Sequence, residues 1–472
     1  MRVVLVHCPF DHRDFSENLK VVDEEFCLAP PVILAYVAAI LEKAGHDVII
    51  VDANALKLSR EQASAVIRQF APDIIGFRAD TYWFHRVVEW ASYFKAHLKA
   101  RIIVGGPNIA LYPKESLSYG CFDYGLSGEA NGSLPALLAC LEGGTSPGAV
   151  EGLVYRSGAN IVVNPPSEQV TGFDDYPFPA RHLLPNHLYS SFTSQRKNFS
   201  IVLTSIGCPY ECNFCAISGR NFRHRSAGNV ADEIERCYKD QDIREIDFFS
   251  ASFFFNRPFV VELCGELIKR KIRVEWSCRS RVDQVDQGIL KQAYQAGCRK
   301  IYYGIESSSP DVLSRTSKGI NVEQVREAVR WTREAKIGAL GFFMVGNSGD
   351  TRESILATID FAKGLELDYV QVCRTIAKPD TQLNSLVISC TGKDPWREYV
   401  RDGNERRDFP SPWTSLSREE LDGYVDRFYR EFYFRPSYIV RRILKIRSLE
   451  ELFRYVRVGL RWVLAGKERG RG

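Results

Sequence analysis

Residues 206–215 read Ile-Gly-Cys-Pro-Tyr-Glu-Cys-Asn-Phe-Cys. Cys208, Cys212 and Cys215 are spaced C-x3-C-x2-C at the end of a strand-like run, FSIVLTSIGC (199–208). A structural zinc ion takes four protein ligands in a tetrahedron. His224, in the charged segment FRHRS, is a distant fourth. Three thiolates fit a [4Fe-4S] cube better: thiolates suit iron–sulfur clusters, and the fourth iron stays open to a small chelating molecule.

Downstream, strands and helices alternate from IREIDFFSASFFFNR (243–257) to DYVQVCR (368–374). Repeating βα units predict a partial (β/α)6 barrel over 191–385, with functional groups at the carboxyl ends of its strands. Upstream, apolar strands at 2–7, 47–53, 73–79, 101–108 and within 121–131 alternate with helical segments at 30–46, 59–71 and 82–100. This is the pattern of an α/β, doubly wound, Rossmann-like domain over 1–145, with 146–190 as linker. No G-x-G-x-x-G follows its first strand, so a dinucleotide fingerprint is absent. Ligands of such sheets sit beyond the strand ends. Those ends are Pro9, Arg78-Ala79-Asp80-Thr81, Gly105-Gly106-Pro107-Asn108 and Gly128-Glu129.

The cysteine spacing, with Phe214 as the aromatic before the last cysteine, resembles the radical S-adenosylmethionine (SAM) enzymes. A doubly wound domain ahead of that motif, with PPVILAYVAAILEKAGHDVIIVDA, DIIGFRA, GGPN, SGEANGS and the linker-like DDYPFPARHLLP, looks like the cobalamin-binding branch of the family. The resemblance covers about residues 1–375. It implies a [4Fe-4S] cluster on Cys208, Cys212 and Cys215, SAM on the open iron, and cobalamin at the first domain's strand ends. It places Phe214, Ser277, Arg279, Glu306, Gly346 and Asn347 around SAM. The implied reaction is methylation of an unactivated carbon through methylcobalamin and a 5′-deoxyadenosyl radical. Cyclisation, rearrangement or oxidation without methyl transfer is the alternative, and a non-catalytic cofactor-bearing interaction protein is a reading of another class. An external electron donor such as flavodoxin or ferredoxin is implied as well.

Two departures stand out. The D-x-H-x-x-G string that supplies a lower histidine to cobalt in many cobalamin domains is absent; DHRDF (11–15) is the nearest. Relatives carry acids in an FxDDxF turn after the second barrel strand, whereas here the turn is Phe249-Ser250-Ala251-Ser252-Phe253. With Phe248, Phe254 and Phe255 nearby, this predicts an apolar pocket for a small, partly hydrophobic molecule.

The chain has 472 residues, a net charge of +4 and 13 cysteines. So small a charge gives no footprint for nucleic acid. The strand-like opening without a secretory signal, and cysteines such as Cys140, Cys237 and Cys264 in apolar contexts, suggest a reducing cytoplasm. The last region, 386–472, reads as loop-rich to 415 and helical beyond. SLEELFRYVRVGLRWVLAG (448–466) has a single apolar face, and residues 435–472 carry 11 Lys or Arg against three acids. Such a helix suits either packing on the barrel or peripheral contact with an anionic membrane.

Overall fold

The computed structural model describes residues 1–9, 27–166, 172–191, 194, 198–403 and 409–444. The helix expected at 448–466 and the DHRDF string lie outside the described residues.

The first sheet contains β1 (Arg2–His7), β3 (Asp47–Asp52), β4 (Ile74–Arg78), β5 (Arg101–Gly105), β6 (Tyr124–Leu126), β7 (Leu153–Ser157) and β8 (Asn160–Val163). Its order is β3-β1-β4-β5-β6-β7-β8, parallel up to β6 and antiparallel beyond. The chain reverses its direction of travel across the sheet between β1 and β4. That switch point is where such sheets open a ligand crevice. Alternate residues serve the two faces: Val4 and Val6 enter one core, Val3 and Leu5 the other. Helix Arg60–Phe70 begins at the expected cap, where Ser59 and Gln62 form a reciprocal capping box. The hairpin β7–β8 lies in the stretch read as linker. It pairs β7 to the edge of β6, and its alternation was too short and polar to announce a strand.

A two-residue strand β2 (Cys27–Leu28) pairs with β9 (Ser190–Ser191), and β11 (Ser205–Ile206) pairs with β12 (Arg223–His224). The second sheet runs β10 (Phe199–Leu203), β13 (Glu245–Phe249), β14 (Glu275–Ser280), β15 (Cys298–Glu306), β16 (Gly338–Val345) and β17 (Tyr369–Arg374), all parallel. Outward residues such as Ile246, Phe248, Trp276, Ile301 and Tyr303 pack against the surrounding helices. The alternate set, with Asp247, Phe249, Ser277, Arg279, Tyr302, Leu340, Phe342 and Tyr369, lines the other face, which is the barrel lumen.

The C-terminal region packs in two places. Helix Pro395–Asp402 sends Trp396, Tyr399 and Val400 into the first domain's core. It lies in a stretch read as loop; Asp394 caps it by accepting from the Trp396 amide at 3.1 Å. Helix Arg418–Tyr433 lies on the exposed edge of β17. The Tyr429 hydroxyl donates to the Val372 carbonyl at 3.1 Å and accepts from its amide at 2.9 Å; Tyr433 does the same for Val370 at 2.8 and 3.0 Å. An unpaired strand edge invites association with another chain, and the two tyrosines close this one. No helix among the described residues is long and apolar enough to cross a membrane.

Candidate active site where the two sheets face each other

The cysteines follow β11. Gly207 has φ +78°, and a Cβ there would stand 2.1 Å from the Asn221 carbonyl oxygen. Only glycine lets the chain turn at that point into Cys208. Backbone bonds then wrap the loop on itself: Cys208 N–H donates to Arg220 O, Cys215 N–H to Cys212 O, and Gly219 N–H to Tyr210 O, at 2.8–3.2 Å. Cys208 and Cys212 are buried and Cys215 is half-buried. Burial pushes the Cys208 and Cys212 thiols up, while Lys318 and Arg281 pull them down. The donor set fits an iron–sulfur cluster: three thiols within eight residues of one loop, two of them buried, with Lys318 and Arg281 alongside. His224 is not a fourth ligand. Its Nε2 meets Asn256 Nδ2 at 3.1 Å and its Nδ1 faces the Arg225 carbonyl.

Of the positions expected around SAM, Phe214 packs on the cluster of Ala377, Leu383 and Val387, as Trp413 does. Ser277 donates to Asp247 at 3.0 Å, and Arg279 donates to the other oxygen of that carboxylate at 2.7 Å. The Arg279 guanidinium also lies over the rings of Phe249 and Tyr302. Glu306, the last residue of β15, has φ +67° at a register shift, a strained position for a carboxylate residue. It accepts from Lys318 Nζ at 2.9 Å, and both side chains are buried. Burial would lower Lys318, but Glu306 and Cys212 hold it above its ordinary value.

Gly346 and Asn347, also expected near SAM, form the turn after β16. Asn347 is fully buried; its amide donates to Met344 O and Asp350, and its carbonyl oxygen accepts from Thr375. Gly346 has φ +78°, a Cβ there would stand 2.7 Å from the Leu421 side chain, and its carbonyl accepts from Trp413 Nε1 at 2.8 Å. Asn347 is turned inward to tie the turn. The aromatic expectation is trimmed: Phe248, Phe253 and Phe254 are core, and only Phe249 (48% exposed) and Phe255 (42%) of the five reach the surface.

On the first domain's rim, Gly106 has φ +106°, and a Cβ would lie 2.7 Å from the Ala79 carbonyl oxygen. That close approach of the β4 and β5 loops makes a backbone-lined cradle, one strand along from the β1–β4 switch point. Arg78 pairs with Asp80, and both stay partly open. Pro9 is half-buried. Gly105 and Pro107 flank the cradle, and Gly128 (φ +103°) turns the chain after β6. Ala79, Thr81 and Asn108, also expected to border cobalamin, are buried. Asn108 donates to Ser116, and Ala79 uses its backbone to join Gly105 and Asn108. Glu129 is committed to Arg223 and the Tyr176 hydroxyl.

The two rims are bridged on both flanks. Glu129 follows β6 and Arg223 lies in β12, beside the cysteine loop. On the other flank, Trp396 donates to the Ala377 carbonyl at 2.6 Å and stacks edge-on with Tyr82, 5.0 Å between centroids. Beneath the first bridge, Arg181 and Arg225 clasp Glu233, with Tyr36 of the first domain donating to the same carboxylate. Burial alone would raise Glu233, but the two guanidinium groups hold it below the usual carboxylate range.

The comparisons agree with this geometry. The Radical SAM superfamily model matches residues 202–362, and the B12 binding domain model matches residues 27–138. The chain thus carries a B12 binding domain followed by a Radical SAM superfamily domain, in the order the sequence resemblance implied. It is 29% identical to an uncharacterised methyltransferase of Pyrococcus horikoshii, over 88% of this chain and 90% of that protein. It is 27% identical to the anaerobic magnesium-protoporphyrin IX monomethyl ester cyclase of Rubrivivax gelatinosus, over 71% of this chain and 62% of that one. The solved cobalamin-dependent SAM radical enzyme OxsB, with aqua-cobalamin and SAM bound, superposes with a TM-score of 0.71 at 17% identity, covering 97% of this chain and 72% of that chain. A Radical SAM domain implies a [4Fe-4S] cluster and SAM, and a B12 binding domain implies cobalamin.

Sequence reasoning missed Arg281, Lys318, Tyr210 and Asp247. Arg281 repeats the strand phase of Arg279 and was within reach. Lys318 lies 12 residues beyond Glu306 across a helix, and no local pattern joins them.

Proposed function

We propose that the enzyme methylates an unactivated carbon of a small, partly hydrophobic molecule held between the two sheet rims. The observation that supports this reading is the double bridge, Glu129–Arg223 on one flank and Trp396 with Tyr82 on the other, which ties the first domain's strand-end loops to the barrel's segments beside the cysteine loop. When bound, the cluster with SAM supplies a hydrogen-abstracting radical and cobalamin a transferable methyl group. The chain's own residues supply placement. Cys208, Cys212 and Cys215 hold the cluster. Phe214, Glu306 and Arg279 border SAM, with Ser277 holding Asp247 and Gly346 shaping the turn. Pro9, Arg78, Asp80, Gly105, Gly106, Pro107 and Gly128 border cobalamin. Tyr302, Leu340, Phe342 and Tyr369 give the lumen an apolar wall, and the paired Arg279 and Asp247 leave one polar point for orientation. That balance favours an isoprenoid, lipid or polyketide-like molecule over a peptide or nucleic acid.

An external low-potential donor such as flavodoxin or ferredoxin supplies electrons, and the basic segment 448–466 gives peripheral membrane contact to an otherwise cytoplasmic enzyme. The exposed Ile439, Val440, Ile443 and Leu444, leading toward that segment, support this.

The test is SAM labelled in its methyl group, given with reductant, cobalamin and a panel of apolar acceptors. Label in the product supports methylation. 5′-Deoxyadenosine with unlabelled, altered product favours the second reading, cyclisation, for which the cyclase relative speaks.

A further inference from the structure

The loop that holds the cysteines is gripped from outside by one short turn, 315–319, and by Arg281. Asn213, between Cys212 and Cys215, donates its backbone N–H to the Thr316 carbonyl at 3.3 Å and its side-chain amide to the Arg315 carbonyl at 2.9 Å. Arg281 donates to the carbonyls of Lys318 at 2.6 Å and Gly319 at 3.4 Å. Its guanidinium lies 4.0 Å from the ring centroid of Tyr210, between Cys208 and Cys212. Gln284 fixes the Tyr210 hydroxyl, and Asp283 holds the outer side of Arg281. Lys318 is thereby carried up against the cysteine loop. It is buried and oriented by Glu306, and Gly304 provides the space: a Cβ there would stand 2.7 Å from both Lys318 Nζ and Glu306 Oε1.

A buried ammonium costs free energy unless something uses its charge. Glu306 answers for one charge, and Arg281 stands on the same side with Asp283 as its partner. At the Cys208 and Cys212 thiols the two cations, Lys318 first, act more strongly than Glu306.

We propose that Lys318, held by Glu306 and by the 315–319 turn, is a positioning residue that sets the reduction potential of the cluster on Cys208, Cys212 and Cys215, raising it by opposing the negative charge that reduction adds. The proposal rests on the cluster reading of those cysteines. Reduction adds one electron from dithionite or an electrode, and no bond forms or breaks. Glu306 works in the opposite sense, so the pair sets a compromise value.

The experiment is an anaerobic potentiometric titration of the reconstituted protein without SAM, followed by electron paramagnetic resonance, with iron content measured in parallel. Lys318→Gln should shift the midpoint to more negative potential, and Glu306→Gln to more positive, each by the equivalent of a tenfold change in the one-electron equilibrium, about 59 mV. Lys318→Arg should restore the wild-type value. Opposite shifts are not expected from general loosening of the loop. If Lys318→Gln loses iron, Glu306→Gln decides alone: a positive shift supports the proposal and none overturns it. Unchanged midpoints in iron-replete variants overturn it. A wild-type protein that takes up no iron removes the cluster assignment, and the proposal with it.

Discussion

The two rims that face each other are built by different means. The barrel rim is made of charged side chains locked in pairs: Lys318 with Glu306, Arg279 with Asp247, Arg281 with Asp283. The first domain's rim is made mostly of backbone: Gly106 against Ala79, the buried Asn108, and Gly128 in a left-handed turn. A cluster and a sulfonium bring charge to the first, and charge needs compensation. A corrinoid is large and flat, and a flat ligand needs clearance. Loss of a side chain should therefore injure the barrel rim, whereas gain of one should injure the other.

Replacing any one of Cys208, Cys212 or Cys215 with Ala should abolish the cluster and reductive SAM cleavage, read as iron content and 5′-deoxyadenosine, while leaving corrinoid retention in place. The next largest effect is on the joint between the rims. Glu233→Gln leaves two buried guanidinium groups without an anion, and should destabilise the fold by about 3–5 kcal/mol in urea denaturation. Glu233 has a depressed folded pKa, so its contribution is complete above the unfolded value and is lost as pH falls through the folded one. Stability should thus drop below about pH 4.3 in the wild type, and that acid limb should be shallower in Glu233→Gln.

On the backbone-built rim, Gly106→Ala puts a Cβ into the Ala79 carbonyl at a φ only glycine favours. The strain is about 1–3 kcal/mol, enough for about a tenfold loss of corrinoid affinity by absorbance after desalting. Cluster content should not change, and a parallel loss of iron would break the comparison. Tyr176→Phe removes one hydrogen bond to Glu129 and should cost about 1 kcal/mol, with Arg223 still in place.

The contrast also explains what could be read in advance. Cysteine spacing is local, and the βα alternation rests on apolar periodicity, so the cluster loop and both parallel sheets were legible. Ala79, Thr81 and Asn108 were placed correctly at strand ends, but which way a side chain points there depends on a neighbouring loop that sequence does not reveal. Asn347 was placed near SAM by the family resemblance, in the turn after a barrel strand. Its partner Thr375 comes from the next strand and carries no local mark. Lys318 was invisible for the same reason, since its grip on the cysteine loop passes through main-chain carbonyls. The β7–β8 hairpin was hidden by polarity, and helix Pro395–Asp402 by the loop-like residues around it.

The Arg181–Glu233–Arg225 group bears on how the molecule can be divided. A cut between residues 191 and 198 would leave Tyr36 and Arg181 on one fragment and Arg225 and Glu233 on the other. Each piece would then present at its torn face a charged or polar group shaped for the other. The fragments should be poorly soluble apart and should find each other when co-expressed, so the joint behaves as a built-in complementation interface rather than as a hinge.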